Sequence, residues 1–297
     1  MYCFRYVGLS ISMIRTRRIV QAVFLALVSA GVFIYHANCE LWCPFGGVEA
    51  LYTYATEGNM PCSLGTSNFF ILGGVILSTL LVRRAFCGYM CPIGTISEWF
   101  GSLGKRMGLP TWHVPQWLDR VLSLLKYGVL VLILTMTWRA GELLFRGYDP
   151  CYALLSRHGT DITSWAYVVS GAIVVASLAV SVPFCRWFCP FAAVLNPFSR
   201  ASLGRIRRDE AACTSCGVCS RQCPMAIPVD QVQDVTAARC TSCLTCVDAC
   251  PKSKDGAISW KFIQPVHSAW SQAAVIAAIV LCTSAAVAAS YAFPLPS

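Results

Sequence analysis

The residues best equipped for chemistry are the 18 cysteines of this 297-residue chain. Eight stand in two runs of identical spacing. One is Cys213-x2-Cys216-x2-Cys219-x3-Cys223-Pro224, the other Cys240-x2-Cys243-x2-Cys246-x3-Cys250-Pro251. Three thiolates at that spacing wrap three irons of a cubane, and the fourth ligand comes from the other run. The spacing predicts one [4Fe-4S] cluster on Cys213, Cys216, Cys219 and Cys250, and a second on Cys240, Cys243, Cys246 and Cys223. A tight turn at Gly217, and others after Pro224 and Pro251, would bring backbone amides to the sulfurs. Zinc is the plainer reading. Duplication of the whole spacing, with proline after each copy, argues against it.

A second motif, C-x3-C-P, occurs three times: Cys39-x3-Cys43-Pro44, Cys87-x3-Cys91-Pro92 and Cys185-x3-Cys189-Pro190. Each copy follows the end of an apolar segment. In a helical turn, residues i and i+4 point the same way, so each pair can grip one edge of a cubane. Cys87, Cys91, Cys185 and Cys189 make a third cluster on the inner membrane face, against the alternative of unligated buried thiols. The remaining copy faces outward, where the other cysteines are Cys62 and Cys151. Cys39, Cys43, Cys62 and Cys151 form either a fourth cluster or disulfides, since the outer compartment of many bacteria is oxidising. Cys3 and Cys282 are left over, and Cys282 reads as small packing within a span.

Composition dictates what must hold these thiols. The chain is 56% hydrophobic and 12% charged, against about 25% charged in a soluble domain. Five apolar segments approach the length of a helical span: residues 19–37, 64–82, 121–138, 162–184 and 268–290. Lys126 lies near the entry of the third, where it can snorkel. The fifth, rich in alanine, has no charged face and so reads as crossing rather than surface-bound. With the N-terminus inside, nineteen Lys and Arg fall on the inner side and three, Arg139, Arg146 and Arg157, on the outer. That bias orients the chain in a prokaryotic cytoplasmic membrane, C-terminus outside. The formal charge of +9 is then an orientation signal and gives no ground for nucleic-acid binding. The first apolar segment leads straight into a cysteine motif, without a small-residue cleavage site, and is expected to be retained.

The resulting fold class is a mostly α integral membrane helix bundle of about five transmembrane helices with an inserted α+β two-cluster ferredoxin domain. Residues 1–18 form an inner segment, 19–199 a four-helix membrane domain, 200–264 the cytoplasmic ferredoxin domain, and 265–297 the fifth helix and outer tail. So small an insert has little core of its own, and cluster binding is expected to be part of its folding free energy.

On the paired Cys87-x3-Cys91-Pro92 and Cys185-x3-Cys189-Pro190 motifs, followed by the twin ferredoxin runs from Cys213 to Pro251, the chain resembles a family of membrane polyferredoxins. Its members accompany periplasmic nitrate reductase, methylamine dehydrogenase maturation and the nitrous-oxide reductase regulator. The likeness covers roughly residues 15–265. It implies electron movement between a quinone pool or cytoplasmic donor and an extracytoplasmic redox enzyme, such as a periplasmic reductase or cytochrome, within a membrane complex. It supports the inner cluster ligands and the eight ferredoxin cysteines. The complete outer quartet and the fifth span depart from the family pattern, as expected of a chain that passes electrons across the bilayer or docks in a larger complex.

The expected mechanism is one-electron exchange from the two ferredoxin clusters to the inner membrane-face cluster and on to the outer one, in a direction these residues do not encode. The two faces of a hydrocarbon core lie about 30 Å apart. The clusters must therefore sink into the bundle, or another carrier, with a quinone the simplest, must lie between them. None of His36, His113, His158 and His267 falls at mid-membrane, so no bis-histidine haem is expected. His36 and the polar segment Gly141, Glu142, Arg146, Tyr148 and Asp149 are candidate quinone or partner contacts, with ordinary interfacial roles as the alternative. Glu98 reads as helix-surface charge. No phosphate-binding glycine loop, zinc-protease motif or activated nucleophile is present, so a self-contained catalyst is not expected. The rivals to an electron-transfer subunit are a regulatory or maturation factor and a thiol-redox protein working through the outer cysteines. Four cubanes with thiolate ligands would turn the formal +9 into about +1.

Overall fold

Long uncharged runs of Leu, Val, Ile and Ala form helices wherever the chain must satisfy its backbone without water. In the computed structural model, residues 7–36, 43–57, 66–110, 112, 114–140, 149–155, 163–262, 265–266 and 268–292 are described. The helices are α1 (Val7–Phe33), α2 (Pro44–Glu57), α3 (Thr66–Val82), α4 (Ala85–Tyr89), α5 (Pro92–Arg106), α6 (Gln116–Leu122) and α7 (Leu125–Ala140). There follow α8 (Pro150–Leu155), α9 (Ser164–Ala179), α10 (Pro190–Arg200), α11 (Val218–Arg221), α12 (Thr245–Asp248) and α13 (Ser268–Ala292). The strands β1 (Arg205–Arg208), β2 (Ile258–Lys261) and β3 (Pro265–Val266) form one antiparallel sheet in that order.

Among the described residues, three stretches are long and apolar enough to cross a membrane: Met13–Phe33, Gln116–Arg139 and Ser271–Tyr291. Ser67–Val82 and Ser164–Ala179 are apolar but shorter. The first helix begins well before the expected residue 19 and carries Arg15, Arg17 and Arg18 within it. Arg17 can sit there because it is buried against partners: it pairs with Glu98 on α5 and donates to Thr245 Oγ1 at 2.9 Å. Glu98 is therefore a structural anchor for α1, and the expectation of a plain surface charge is corrected.

The helix α13 packs along α3, and the contact depends on Gly74. A Cβ there would stand 2.7 Å from both Ala286 Cβ and the Cys282 carbonyl oxygen. The Cys282 backbone thus forms part of the contact between α13 and α3. At the other end of α3, Leu203 N and Gly204 N donate to the carbonyls of Leu80 and Leu81, at 2.8 and 2.9 Å. These bonds fix β1, and through it the sheet, to the end of the helix.

The insert is not an independent lobe. A single apolar core contains Val82, Tyr89 and Val182 from the bundle, Ile206, Ile227, Val235 and Trp260 from the insert, and Val275 and Ile279 from α13. An ionic tie reinforces it. Asp119, buried on α6, accepts from Arg186 at 2.5 Å, from Trp187 Nε1 at 2.8 Å and from Arg239 of the insert. Arg239 also donates to the Ala226 carbonyl at 3.1 Å.

Two outcomes follow. Gly74→Val forces α13 off α3 and is expected to lower stability by about 1–3 kcal/mol. Gly73→Val, with nothing within 4 Å of its new carbon, is expected to leave the detergent-solubilised melting temperature in place. Asp119→Asn leaves Arg186 and Arg239 without their shared counter-charge, at a cost of about 3–5 kcal/mol. The readouts are a lower melting temperature and faster tryptic cleavage within residues 200–262.

Candidate iron–sulfur sites

Within the insert, both cysteine runs follow the same backbone path. Ser215 and Gly217 take left-handed φ values of 51° and 68°, and Ser242 and Leu244 repeat them at 45° and 58°. Each left-handed residue turns the chain so that successive amides face inward, the geometry of an anion nest. Gly217 takes that conformation without cost, whereas Leu244 holds it while fully packed in the core.

The thiols collect as the crossed spacing requires. One hollow is lined by Cys213, Cys216, Cys219 and Cys250. A second is lined by Cys223, Cys240, Cys243 and Cys246. Each hollow thus takes three thiols from one run and the fourth from the other. Four thiols around each hollow are the ligand number of one [4Fe-4S] cubane.

The two hollows differ in setting. In the first, Cys216 is exposed. The Cys213 thiol is held below its ordinary value by the Ser215 amide, which donates to its sulfur at 3.4 Å, and by Arg208. The second lies against the bundle, with Cys240 and Cys246 buried. Burial pushes the Cys223 thiol up to about 12. Burial acts the same way on Cys243, but the Arg17 charge and the Thr245 hydroxyl and amide outweigh it, and that thiol is lowered. Thiolate is the ligating form, so ligation here releases protons into surroundings that already supply hydrogen bonds and positive charge.

The membrane-end motifs share a local structure that the i, i+4 argument did not foresee. Cys91 N donates to Phe86 O at 3.1 Å, and Cys189 N donates to Phe184 O at 2.9 Å. Both are i→i+5 bonds, and Phe184–Phe188 is one turn of π-helix. The second cysteine of each pair is extended and caps the next helix, with Pro92 or Pro190 at the first helical position. Proline fits there because that N–H has no helical partner. The four thiols Cys87, Cys91, Cys185 and Cys189 are close enough to influence one another electrostatically.

This membrane group adjoins the second hollow. Gly88 lies so close to Thr241 that a Cβ would stand 3.2 Å from its carbonyl oxygen, and Tyr89 Oη donates to the Ser242 carbonyl at 3.5 Å. The turn between Cys87 and Cys91 therefore rests on the loop between Cys240 and Cys243. Gln21 of α1 donates to Gly88 O at 2.9 Å and to Glu98 at 3.0 Å, holding the turn from the opposite side.

Of the outer quartet, Cys39 and Cys62 lie outside the described residues, as do His113, His158, His267 and the segment 141–148. Cys151 falls in α8. Cys43 precedes α2, which begins with Pro44 as the other two copies begin their helices. Its carbonyl accepts from Asn68 Nδ2 at 3.2 Å. Cys43, Cys87 and Cys189 all pack against one apolar cluster containing Phe45, Ile71, Leu72, Val75 and Phe191. Asp149, two residues before Cys151, is near enough to act electrostatically on both Cys43 and Cys189.

Sequence reasoning missed the charges among these sites. Arg83, Arg84 and Arg186, read only as orientation signals, are buried, with Arg83 and Arg84 at 0% exposure. Asp119 drew no notice, although an acid opening an apolar segment is a signal in itself.

Comparison with known proteins finds 4Fe-4S families over the same segments. A 4Fe-4S binding domain model matches residues 64–110 and again 163–209, and a 4Fe-4S dicluster domain model matches residues 205–251. The chain is 32% identical over 205 residues to YccM of Escherichia coli (strain K12), which is named as an electron transport protein. That match takes in 66% of this chain and 56% of YccM. It is 30% identical over 224 residues to the uncharacterized protein MJ0750 of Methanocaldococcus jannaschii, covering 73% of this chain and 85% of the relative. It is 28% identical over 155 residues to the ferredoxin-type protein NapH of Haemophilus influenzae, covering 51% of each. No solved structure matches the chain. The repeated 4Fe-4S models and the length of the shared stretch place the chain in the membrane polyferredoxin family of 4Fe-4S electron-transport proteins.

Proposed function

We propose that the chain is an integral membrane electron-transfer subunit that relays single electrons between a donor on the inner side and a redox partner on the outer side. The observation that carries this reading is the seating of the Gly88–Tyr89 turn on the Thr241–Ser242 loop. It sets the membrane-end thiols beside one ferredoxin hollow and leaves the other hollow facing solvent.

Cys213, Cys216, Cys219 and Cys250 would hold the solvent-side cluster; Cys223, Cys240, Cys243 and Cys246 the middle one; Cys87, Cys91, Cys185 and Cys189 the membrane-end one. Bound there, a [4Fe-4S] cluster supplies one-electron exchange with little change of shape. The protein's own work is to fix positions and electrostatics. Exposed Cys216 marks the place where a soluble donor approaches. Arg208 and Ser215 bond the Cys213 sulfur, and Thr245 bonds that of Cys243. The shared core buries Cys240 and Cys246 of the middle site and Cys185 of the membrane-end site.

Cys39, Cys43, Cys62 and Cys151 would form the fourth site. Cys43 shares an apolar cluster with Cys87 and Cys189, which favours sites sunk into the bundle over sites a full membrane apart. On this arrangement an intervening quinone is not required. The five apolar helices are read as five spans, with the N-terminus and the insert of residues 200–264 cytoplasmic, following the bias of Lys and Arg. A periplasmic reductase or cytochrome in a membrane complex is the class of outer partner that fits.

Anaerobic purification with iron and acid-labile sulfide counted per chain tests the reading. Four cubanes give about sixteen irons, and three give about twelve. Cys43→Ser is expected to lower the count by about four while the ferredoxin EPR signals persist. An unchanged count would remove the outer site from the account. Cys223→Ala is expected to abolish the same EPR species as Cys246→Ala, and Cys250→Ala the same species as Cys216→Ala. Loss of the Cys216 species in Cys223→Ala would contradict the crossed assignment.

A further inference from the structure

Between the membrane-end thiols and the middle hollow lies an accumulation of buried cations. Arg83 and Arg84 end α3 and are fully buried, and Arg186 and Lys126 are each 4% exposed. Arg239 reaches in from the insert. The carboxylate of this group is Asp119, already shared by Arg186 and Arg239. Among the described residues, the hydrogen-bond partners of Arg83 and Arg84 are neutral groups. Arg83 donates to the carbonyls of Gly204 at 3.2 Å and Ala237 at 2.9 Å. Arg84 donates to Asn196 Oδ1 at 3.2 Å, and Asn196 is in turn fixed by Tyr127 at 2.8 Å.

Three nitrogens of this pair, Nη2 of Arg83 and Nε and Nη2 of Arg84, are buried with no hydrogen-bond partner among the described residues. A guanidinium out of water costs several kcal/mol unless an anion compensates it. The groups near enough to do so are the cysteines. The Arg83 charge acts on Cys240, and the Arg84 charge acts on Cys185, Cys189 and Cys240. Arg84 therefore addresses both cysteine groups at once.

Resting on the relay reading above, we propose that Arg83 and Arg84 form a fixed cationic bridge between the middle and membrane-end clusters, which holds the reduction potentials of both up and leaves the solvent-side cluster untouched. Uptake of one electron adds one negative charge to a cluster. No proton moves and no bond in the chain breaks. A stationary positive charge favours the reduced state of any cluster it faces, and in a water-free setting it is poorly screened. The bridge thereby offsets the lowering of potential that burial imposes on these two sites. Arg84 and Arg83 are positioning residues in this scheme, since each acts on iron through charge alone.

The test is a redox titration followed by EPR on the full chain, purified anaerobically in detergent, with titanium(III) citrate as one-electron reductant. In Arg84→Gln, the middle and membrane-end signals are each expected to shift tenfold or more toward the oxidised form, a fall of 59 mV per decade for one electron. The solvent-side signal stays in place, and Arg84→Lys, which keeps the charge, restores most of the shift. Arg83→Gln reads the same bridge from the other side, with the larger fall at the middle cluster. All signals present at unchanged potentials would overturn the bridge and leave the relay standing. Equal shifts at all three clusters, or equal loss in Arg84→Lys and Arg84→Gln, would also overturn it. Absence of the membrane-end signal from unsubstituted protein would instead strike the relay itself.

Discussion

Charge taken out of water is the constraint on which the rest of this structure depends. Arg17, Arg83, Arg84 and Arg186 are all buried, and a buried ion is tolerated only with compensation close by. Glu98 answers Arg17, and Asp119 answers Arg186 and Arg239. For Arg83 and Arg84 the answering groups, on the proposal above, are cysteine thiolates that carry iron. Fold and cofactor are thus coupled in both directions. The thiols need positive charge to ionise in an apolar setting, and the arginines need anions to remain there. Binding free energy of the clusters is expected to appear as stability of the joint between insert and bundle.

That joint explains why the insert does not stand alone. A short sheet and a few helical turns cannot bury enough apolar surface for independent stability. Here Trp260, Ile206 and Val235 share a core with Val82 and Tyr89. The apolar contacts fix the position, while Asp119, Gly204 and Gly88 fix the register. Gly88 stands inside the Cys87–Cys91 motif and packs on the loop between Cys240 and Cys243. Cluster placement and domain docking are therefore the same structural problem.

Much of this was legible in the sequence because thiol spacing is a short-range signal. The crossed grouping of the eight ferredoxin cysteines and the kinship of the three C-x3-C-P copies follow from local geometry. The left-handed turn at Gly217 was readable for the same reason. The i→i+5 widening before Cys91 and Cys189 was not, since helix periodicity carries no mark of a π-turn. Nor was the burial of Arg83 and Arg84. On a linear chain these are indistinguishable from solvated charges flanking a span, and only packing of β1 and the Cys240 loop over the end of α3 buries them. The shared apolar setting of Cys43 and Cys189 depends likewise on how α2 lies against α3, a long-range contact that no periodicity reveals.

The central claim is that the membrane-end and middle clusters sit side by side through the contact of Gly88 with Thr241. EPR of the fully reduced protein tests it most directly, because two paramagnetic clusters so placed must interact. The account predicts that in Cys216→Ala, where the solvent-side cluster is removed, the two remaining neighbours give a spin–spin split signal, and that adding Cys91→Ser collapses it to an unsplit middle-cluster signal. A fully reduced Cys216→Ala spectrum equal to the sum of isolated clusters, unaltered in shape by Cys91→Ser beyond the loss of one component, would contradict it.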